Sequence, residues 1–174
     1  WNDRGTCVLF GDGAGAAYLE ESDKGIISVV QGSIGKKGMV LNCESRRTHN
    51  IFTEAGIEHD YLHMDGQEVY KFAVRQCPKC LLEALEKADM TADDIDYFVL
   101  HQANVRIIES VAKRLKAPIE KFPMTLGYTG NMSAASVPVM LDSLVRDGGL
   151  KRGDKVAMSA FGAGLTYGAI VLEW

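Results

Sequence analysis

From Gly66 to the last residue, the apolar pattern of this chain alternates between helical and extended spacing, and this alternation limits the possible folds more than any other feature. A stripe over residues 69–85 recurs every three or four residues, which predicts a long amphipathic helix. Residues 95–100 predict a buried strand, and residues 104–116 and 131–146 predict two further helices. Such alternation is typical of an α/β domain with a layered, mixed but mostly parallel sheet and helices on both faces.

The remaining strands are predicted at the two ends of the chain. Residues 155–160 and 165–172 are separated by a short glycine-containing turn, which predicts an antiparallel hairpin. Near the beginning of the chain, residues 6–10 and 16–19 predict two short strands around a glycine-rich turn, and residues 25–31 predict a third strand.

The composition excludes several classes of protein. The chain has 174 residues, 47% of them hydrophobic, and a net charge of only −4, which fits one globular domain over residues 1–174 and rules out disorder. A pI near 5.6 argues against a nucleic-acid partner. No apolar run approaches the roughly 18 residues that span a bilayer, so we expect no membrane segment. Four scattered cysteines and the lack of a leader after Trp1 predict a reducing, cytoplasmic location.

Three positions lie where predicted strands end or predicted helices begin, which is where α/β folds place their functional groups. His101 follows the strand that ends at Leu100, Asn131 follows a Gly-Tyr-Thr-Gly run, and Gly162-Ala163-Gly164 joins the last two strands. Each also has a structural explanation: a histidine in a surface hydrogen bond, an asparagine that caps a helix, and a plain turn. Spacing alone leaves both interpretations open.

Two other motifs are better explained by structure. Cys77 and Cys80 match a CxxC pair, but both lie on the apolar stripe, and the chain has no second pair of metal ligands at a comparable spacing. The run Gly11–Ala16 matches part of a dinucleotide-binding fingerprint, but a short acidic segment follows where that fingerprint requires a helix. We therefore expect no metal and no cofactor.

Three motifs together resemble β-ketoacyl-acyl-carrier-protein synthase III, the condensing enzyme that starts type II fatty acid synthesis. They are His101-Gln102-Ala103-Asn104 with Arg106-Ile107-Ile108, then Gly130-Asn131-Met132-Ser133-Ala134-Ala135-Ser136-Val137-Pro138, and Phe161-Gly162-Ala163-Gly164-Leu165-Thr166-Tyr167-Gly168. The resemblance implies a thiolase-like fold of two similar halves, of which this chain is the second. It also implies that the nucleophilic cysteine lies in the first half and is absent from this chain.

The resemblance implies roles for individual residues. His101 and Asn131 would hydrogen-bond the thioester carbonyl of a malonyl group as CO2 leaves, and the backbone N–H of Ala163 would share an oxyanion hole with the missing cysteine. The residues expected to contact the substrate are Gly66, Tyr70, Asn104 and Phe161. Tyr70 is equally well explained as a helix residue that packs on the sheet.

An acidic acyl carrier protein is the partner that the resemblance implies for the start of the second helix. Its expected contacts are Gln102, Ala103, Asn104, Val105 and Arg106, and the basic strip continues through Lys113 and Arg114. The three basic residues lie away from the apolar face of the helix, where they could steer an acidic partner. The alternative is an ordinary solvated helix face.

The hypothesis is that the whole enzyme condenses an acyl-CoA primer with malonyl-acyl-carrier protein through an acyl-cysteine, as a homodimer, and that this chain alone is inactive. Two alternatives stay open: a related synthase of secondary metabolism with another primer, and a non-catalytic module that binds coenzyme A or carrier protein. Met132 and residues 127–130 depart from the commoner family pattern, which leaves the primer open. A lone half would expose the surface that packs on the first half, so we expect it to self-associate.

Overall fold

The computed structural model describes residues 2–43, 52 and 61–174. The strands, in chain order, are β1 (Ile26–Ser33), β2 (Leu41–Asn42), β3 (His63–Met64), β4 (Tyr97–Leu100), β5 (Lys155–Gly162) and β6 (Thr166–Glu173). The α-helices are α1 (Gly66–Lys87), α2 (Val105–Leu115), α3 (Leu126–Thr129) and α4 (Ser136–Arg146). Strands β2 and β3 form a separate antiparallel ribbon. The other four strands form the central sheet in the order β1-β6-β5-β4.

The central sheet is mixed, as predicted, but the expectation of a mostly parallel sheet is wrong. Strands β4 and β5 pair in parallel, whereas β6 pairs antiparallel with both β5 and β1. A parallel pair needs a long crossover connection, and the connection from β4 to β5 supplies one through α2 and α4. The turn from β5 to β6 is too short for a crossover, so these strands form the predicted hairpin, with Phe161 opposite Tyr167.

Helices cover both faces of the sheet, which confirms the predicted layers. Because side chains alternate along a strand, Phe98 and Leu100 of β4 face the core formed with α1 and α2, while Val99 faces the core under α4. The Phe98 ring stacks on Phe122 with 4.7 Å between ring centroids. Helix α4 contacts β4 from the opposite side.

Helix α1 begins at a carboxylate cap and buries one apolar stripe. Asp65 accepts hydrogen bonds from the backbone N–H groups of Gln67 and Glu68 at 3.1 and 3.0 Å. Cys77 and Cys80 lie in the core, which confirms their packing role. Burial raises the pKa of the Cys77 thiol to about 12 and that of Cys80 to about 11, so both thiols stay protonated near neutral pH.

The two short strands predicted at residues 6–10 and 16–19 do not form. Residues 4–9 form turns, and the segment's single ladder contact is an isolated parallel bridge between Phe10 and Asn131. The glycines that punctuate the segment pack against the chain near Asn131 instead of bounding a hairpin turn. Apolar pattern alone could not distinguish such a segment from a strand, because a short apolar run occurs in both.

The helix predicted over residues 131–146 begins five residues late, at Ser136. Gly130 and Ser133 have φ values of 64° and 54°, in the left-handed region, and a right-handed helix cannot pass through residues in that conformation. Asn131 therefore lies in an irregular loop and does not open a helix.

The described ranges 2–43 and 61–174 contain no helix that is both long and apolar enough to cross a membrane.

We predict that Leu81→Ala lowers the free energy of unfolding by about 2–5 kcal/mol, because it removes a fully buried side chain and leaves a cavity. Leu82→Ala is the matched control, since the neighbouring side chain on the same helix is 46% exposed. Its expected effect is within about 0.5 kcal/mol. Chemical denaturation measures both variants, and equal losses would contradict the packing described for α1.

Candidate active site

A cavity of about 220 Å³ opens where β4 and β5 end. Because the two strands are parallel, their carboxyl ends meet at one edge of the sheet. His101 follows β4 there, and Phe161 and Gly162 end β5. The cavity is lined by the polar or glycine-turn residues His101, Asn104, Asn131, Ser133, Gly162 and Ala163 and by the apolar or small residues Leu9, Phe10, Leu41, Leu62, Met64, Gly66, Val69, Ala103 and Phe161.

His101 is held at one ring nitrogen by a buried hydroxyl. Its Nδ1 lies 2.7 Å from Ser136 Oγ, and the same oxygen accepts the backbone N–H of Gln102 at 3.2 Å. We assign the Ser136 hydroxyl as the donor in this bond and His101 Nδ1 as its acceptor, which is one of the two tautomers that the distance allows. The proton of the neutral imidazole is then on Nε2, the nitrogen left to face the cavity as a donor.

The imidazole of His101 is neutral at physiological pH. Burial lowers its pKa to about 4, because the charged form loses its hydration inside the protein. The ring of Phe161 stands edge-on to the imidazole with 5.2 Å between centroids, so an apolar surface covers one side. His101 is therefore suited to donate a hydrogen bond and poorly suited to carry a positive charge.

Asn131 is fixed by its backbone and by its own side chain. Its N–H donates to the Leu9 carbonyl at 3.0 Å, and its carbonyl accepts the N–H of Gly11 at 2.9 Å. Its Oδ1 accepts the N–H of Ser133 at 2.8 Å, an arrangement that the left-handed φ of Ser133 allows. Because Oδ1 is engaged with the backbone, the Nδ2 group is the part of the carboxamide that remains to donate into the cavity.

The structure brings most of the predicted site residues to this cavity but not all of them. Gly66, Asn104, Phe161 and Ala163 line it beside His101 and Asn131. Tyr70 does not line it; this tyrosine lies one turn beyond Gly66 on α1 and is 37% exposed.

Gln102 differs from the expectation of a carrier contact. Its side chain is fully buried, donates to the Leu100 and Pro123 carbonyls and accepts the N–H of Thr125 at 3.0 Å. A partner protein cannot touch it, so the expected contact through this side chain is wrong. Val105, Arg106, Lys113 and Arg114 are exposed on α2.

Sequence reasoning missed two features of the site. Ser136 is part of the quoted motif, but a serine that bonds a histidine 35 positions earlier gives no local signal. Leu9 and Phe10 form an apolar wall of the cavity although they were predicted to lie in a strand. The glycines at every second position after Phe10 were the available signal, because they indicate a close approach of two backbone segments.

In the parts of the chain that the structure describes, no group of three or more His, Cys, Asp or Glu side chains is arranged to bind a metal ion.

Comparisons with known proteins identify the family. The family model described as 3-oxoacyl-[acyl-carrier-protein (ACP)] synthase III C terminal matches residues 85–174, and the model described as 3-oxoacyl-[acyl-carrier-protein (ACP)] synthase III matches residues 1–38. The chain is 48% identical over 180 residues to a β-ketoacyl-[acyl-carrier-protein] synthase III of Synechococcus sp. (strain WH7803), covering 100% of the chain and 53% of that relative. A synthase III of Clostridium novyi (strain NT) is 47% identical over 176 residues, with 100% and 54% covered. The chain thus spans about half the length of the curated relatives it matches.

Solved structures share the fold over almost the whole chain. The 3-oxoacyl-[acyl-carrier-protein] synthase III from Aquifex aeolicus VF5 has a TM-score of 0.86 at 38% identity, covering 99% of this chain and 52% of that one. The priming β-ketosynthase from the R1128 polyketide biosynthetic pathway has a TM-score of 0.83 at 37% identity, with 98% and 52% covered. These similarities confirm the predicted thiolase-like α/β fold. The chain belongs to the 3-oxoacyl-[acyl-carrier-protein] synthase III family.

Proposed function

We propose that this chain forms the second half of an enzyme that condenses an acyl-CoA primer with malonyl-acyl-carrier protein, the reaction that starts type II fatty acid synthesis. The observation that carries the proposal is the shared cavity of His101 and Asn131, in which Ser136 and Ser133 occupy the acceptor atoms of the two side chains. Both side chains therefore offer an N–H to the same space. A module that only binds its ligand has no need of two donors directed at one point, which argues against the binding-module alternative.

The cysteine thiolate first takes the acyl group from acyl-CoA and releases the coenzyme A thiolate, and decarboxylation of the malonyl thioester follows. The carbon–carbon bond to the carboxylate breaks, CO2 leaves, and the electron pair moves onto the thioester oxygen as an enolate. His101 Nε2–H and Asn131 Nδ2–H donate to that oxygen as its negative charge develops, and one such donor contributes about 3–4 kcal/mol. No proton has to move, so a histidine that stays neutral fits the step.

The next step forms the new carbon–carbon bond. The enolate carbon attacks the acyl carbonyl on a cysteine that we assign to the other half of the enzyme, and the resulting oxyanion is stabilised by the cysteine N–H and the N–H of Ala163. Collapse of that intermediate expels the cysteine thiolate and releases the ketoacyl product. In both steps, hydrogen-bond donors stabilise the negative charge that develops on a carbonyl oxygen, so we propose that the reaction uses no cofactor.

The walls of the cavity suit a thioester on a long arm. Gly66 and Asn104 lie on its rim and leave room for a pantetheine chain, while Leu9 and Phe10 offer an apolar surface to an acyl group. Tyr70 can meet the arm only outside this cavity. The related synthase with another primer keeps the same mechanism, and the similarity to the R1128 priming synthase supports it as the second candidate.

Arg106 is the strongest candidate for steering an acidic carrier protein. Helix α2 has no acidic residue in its first turn. Arg106 lies at the N-terminus of this helix, where the helix dipole favours negative charges, so its positive charge lowers the stability of the helix by about 0.3–1 kcal/mol. Lys113 and Arg114 lie in the last turn, where helix stability alone explains them. Arg106 lies two residues after Asn104, which lines the cavity and caps α2 by accepting the backbone N–H of Arg106 at 2.9 Å.

We further propose that the enzyme is a cytoplasmic homodimer and that the isolated 174-residue chain has no condensing activity.

We predict that His101→Ala and Asn131→Ala, each made in the complete protein, lower the rate of malonyl decarboxylation about 10²–10³-fold. Transfer of the acyl group from acyl-CoA to the cysteine should continue, since neither donor acts in it. Asn42→Ala is the control, because that carboxamide donates to the Met39 carbonyl and does not line the cavity. Radiolabelled CO2 release measures decarboxylation, and normal release from either site variant would contradict the proposal.

The low pKa of His101 predicts a pH dependence of stability. Between about pH 6.5 and pH 4 the unfolded chain binds a proton at this histidine that the folded protein does not, so stability falls as the pH decreases through that window. In an NMR titration, the imidazole signal that disappears in His101→Gln should have its midpoint near pH 4. A midpoint near 6.5 would show that the ring is hydrated and would contradict the burial described here.

Arg106→Glu is predicted to raise KM for malonyl-acyl-carrier protein about tenfold, because the charge reversal repels an acidic partner. The value of kcat should stay within about twofold, since Arg106 does not touch the reacting groups. Lys151→Glu makes the same reversal on an exposed residue before β5, at the opposite edge of the sheet, and should change neither constant. Equal effects of the two variants would point to a general charge effect and contradict the docking role of Arg106.

A further inference from the structure

Three glycines at alternate positions let the beginning of the chain lie directly on the loop that carries Asn131. A Cβ added to Gly11 would lie 2.0 Å from the Thr129 carbonyl oxygen, and one added to Gly15 would lie 2.5 Å from Pro138 Cγ. A Cβ added to Gly13 would lie 2.4 Å from the sulfur of Met132. A Cβ does not approach a non-bonded atom this closely in real structures. Residues 11, 13 and 15 must therefore be glycine for the two segments to lie in contact.

The same close approach creates the backbone clamp on Asn131. The hydrogen bonds from Asn131 N–H to the Leu9 carbonyl and from Gly11 N–H to the Asn131 carbonyl form only while the two segments stay in contact. Met132, the next residue, is 7% exposed, and its thioether fills the space above Gly13. A change in the position of Met132 is therefore transmitted directly to Asn131.

Substitutions at these glycines are expected to have different effects on the structure. Gly11 faces a backbone carbonyl that cannot move without breaking the clamp. Gly13 faces the flexible, unbranched side chain of Met132, which can yield to an added methyl group by shifting. A substitution at Gly13 is thus expected to leave the fold intact while it displaces the residue beside Asn131.

We propose that Gly13 and Met132 are positioning residues whose contact sets the place of the Asn131 carboxamide for decarboxylation. This inference rests on the proposed function. Neither residue lines the cavity; they act by holding Asn131 at the distance at which its Nδ2–H meets the developing oxyanion. A displacement of about 1 Å in such a group can reduce a rate by about 10²-fold.

The test uses the complete protein and separates the two half-reactions. Gly13→Ala is expected to lower malonyl decarboxylation about 10–100-fold while acyl transfer from acyl-CoA to the cysteine stays within about threefold. Met132→Ala leaves a void at the same place and should also lower decarboxylation selectively, by a smaller factor. The double variant Gly13→Ala/Met132→Ala removes the contacts of the added methyl with the sulfur and Cγ of Met132, at 2.4 and 3.1 Å, and leaves only the Cβ of residue 132 at 3.2 Å. It should therefore restore decarboxylation to within about fivefold of the unaltered protein.

Gly35→Ala is the control substitution, because no atom lies within 4 Å of the added Cβ and the φ of Gly35 is not in the left-handed region. Unchanged decarboxylation in Gly13→Ala would overturn the inference, and so would a lack of rescue in the double variant. Equal loss of both half-reactions would also overturn it, because it would indicate a purely structural role. Asn131→Ala is measured alongside: if that variant decarboxylates normally, the proposed function fails, whereas a defect in Asn131→Ala without one in Gly13→Ala defeats only the positioning role.

Discussion

The buried hydroxyl of Ser136 joins the parts of the fold on which the site depends. It bonds the His101 ring and the Gln102 backbone at the end of β4, while Ser136 itself is the first residue of α4. The buried carboxamide of Gln102 extends the junction to the loop before α3 through Pro123 and Thr125. A fully satisfied polar network of this kind permits one arrangement only, because each displaced bond would leave a buried polar group unpaired.

The proposed reaction relies on neutral donors. A charged histidine would bind an enolate more strongly, but the burial of His101 makes that charge unfavourable. In the proposed arrangement, the side chain of Ser136 and the backbone N–H of Ser133 hydrogen-bond the acceptor atoms of His101 and Asn131, which leaves an N–H of each residue for the cavity. The proposed site therefore stabilises the oxyanion by the fixed orientation of two neutral N–H groups and not by a positive charge. Donors fixed in this way need no reorganisation during the reaction.

Two residues at or beside the site, Arg106 and Ser133, lower the local stability of the chain, and the proposed function explains why they are present. Arg106 lies at the helix end that disfavours cations, and Ser133 adopts a left-handed backbone that costs a non-glycine residue about 1–2 kcal/mol. Ser133 directs its N–H at Asn131, and Arg106 faces solvent beside the cavity rim.

Local pattern was sufficient for the elements whose residues interact with near neighbours in the chain. The stripe of α1, the start of α2 at Asn104 and the β5–β6 hairpin were all predicted, since helical periodicity, a side-chain cap and a short turn are local. The resemblance named His101 and Asn131, but their spacing left a structural explanation open. Residues 6–10 and 16–19 were assigned wrongly, and so was the start of α4, because apolar spacing reports neither the turns of residues 4–9 nor the left-handed backbone of Ser133. Strand direction, the cavity wall from Leu9 and Phe10 and the bond from Ser136 to His101 depend on distant segments meeting, and long-range packing has no signature in the spacing of neighbouring residues.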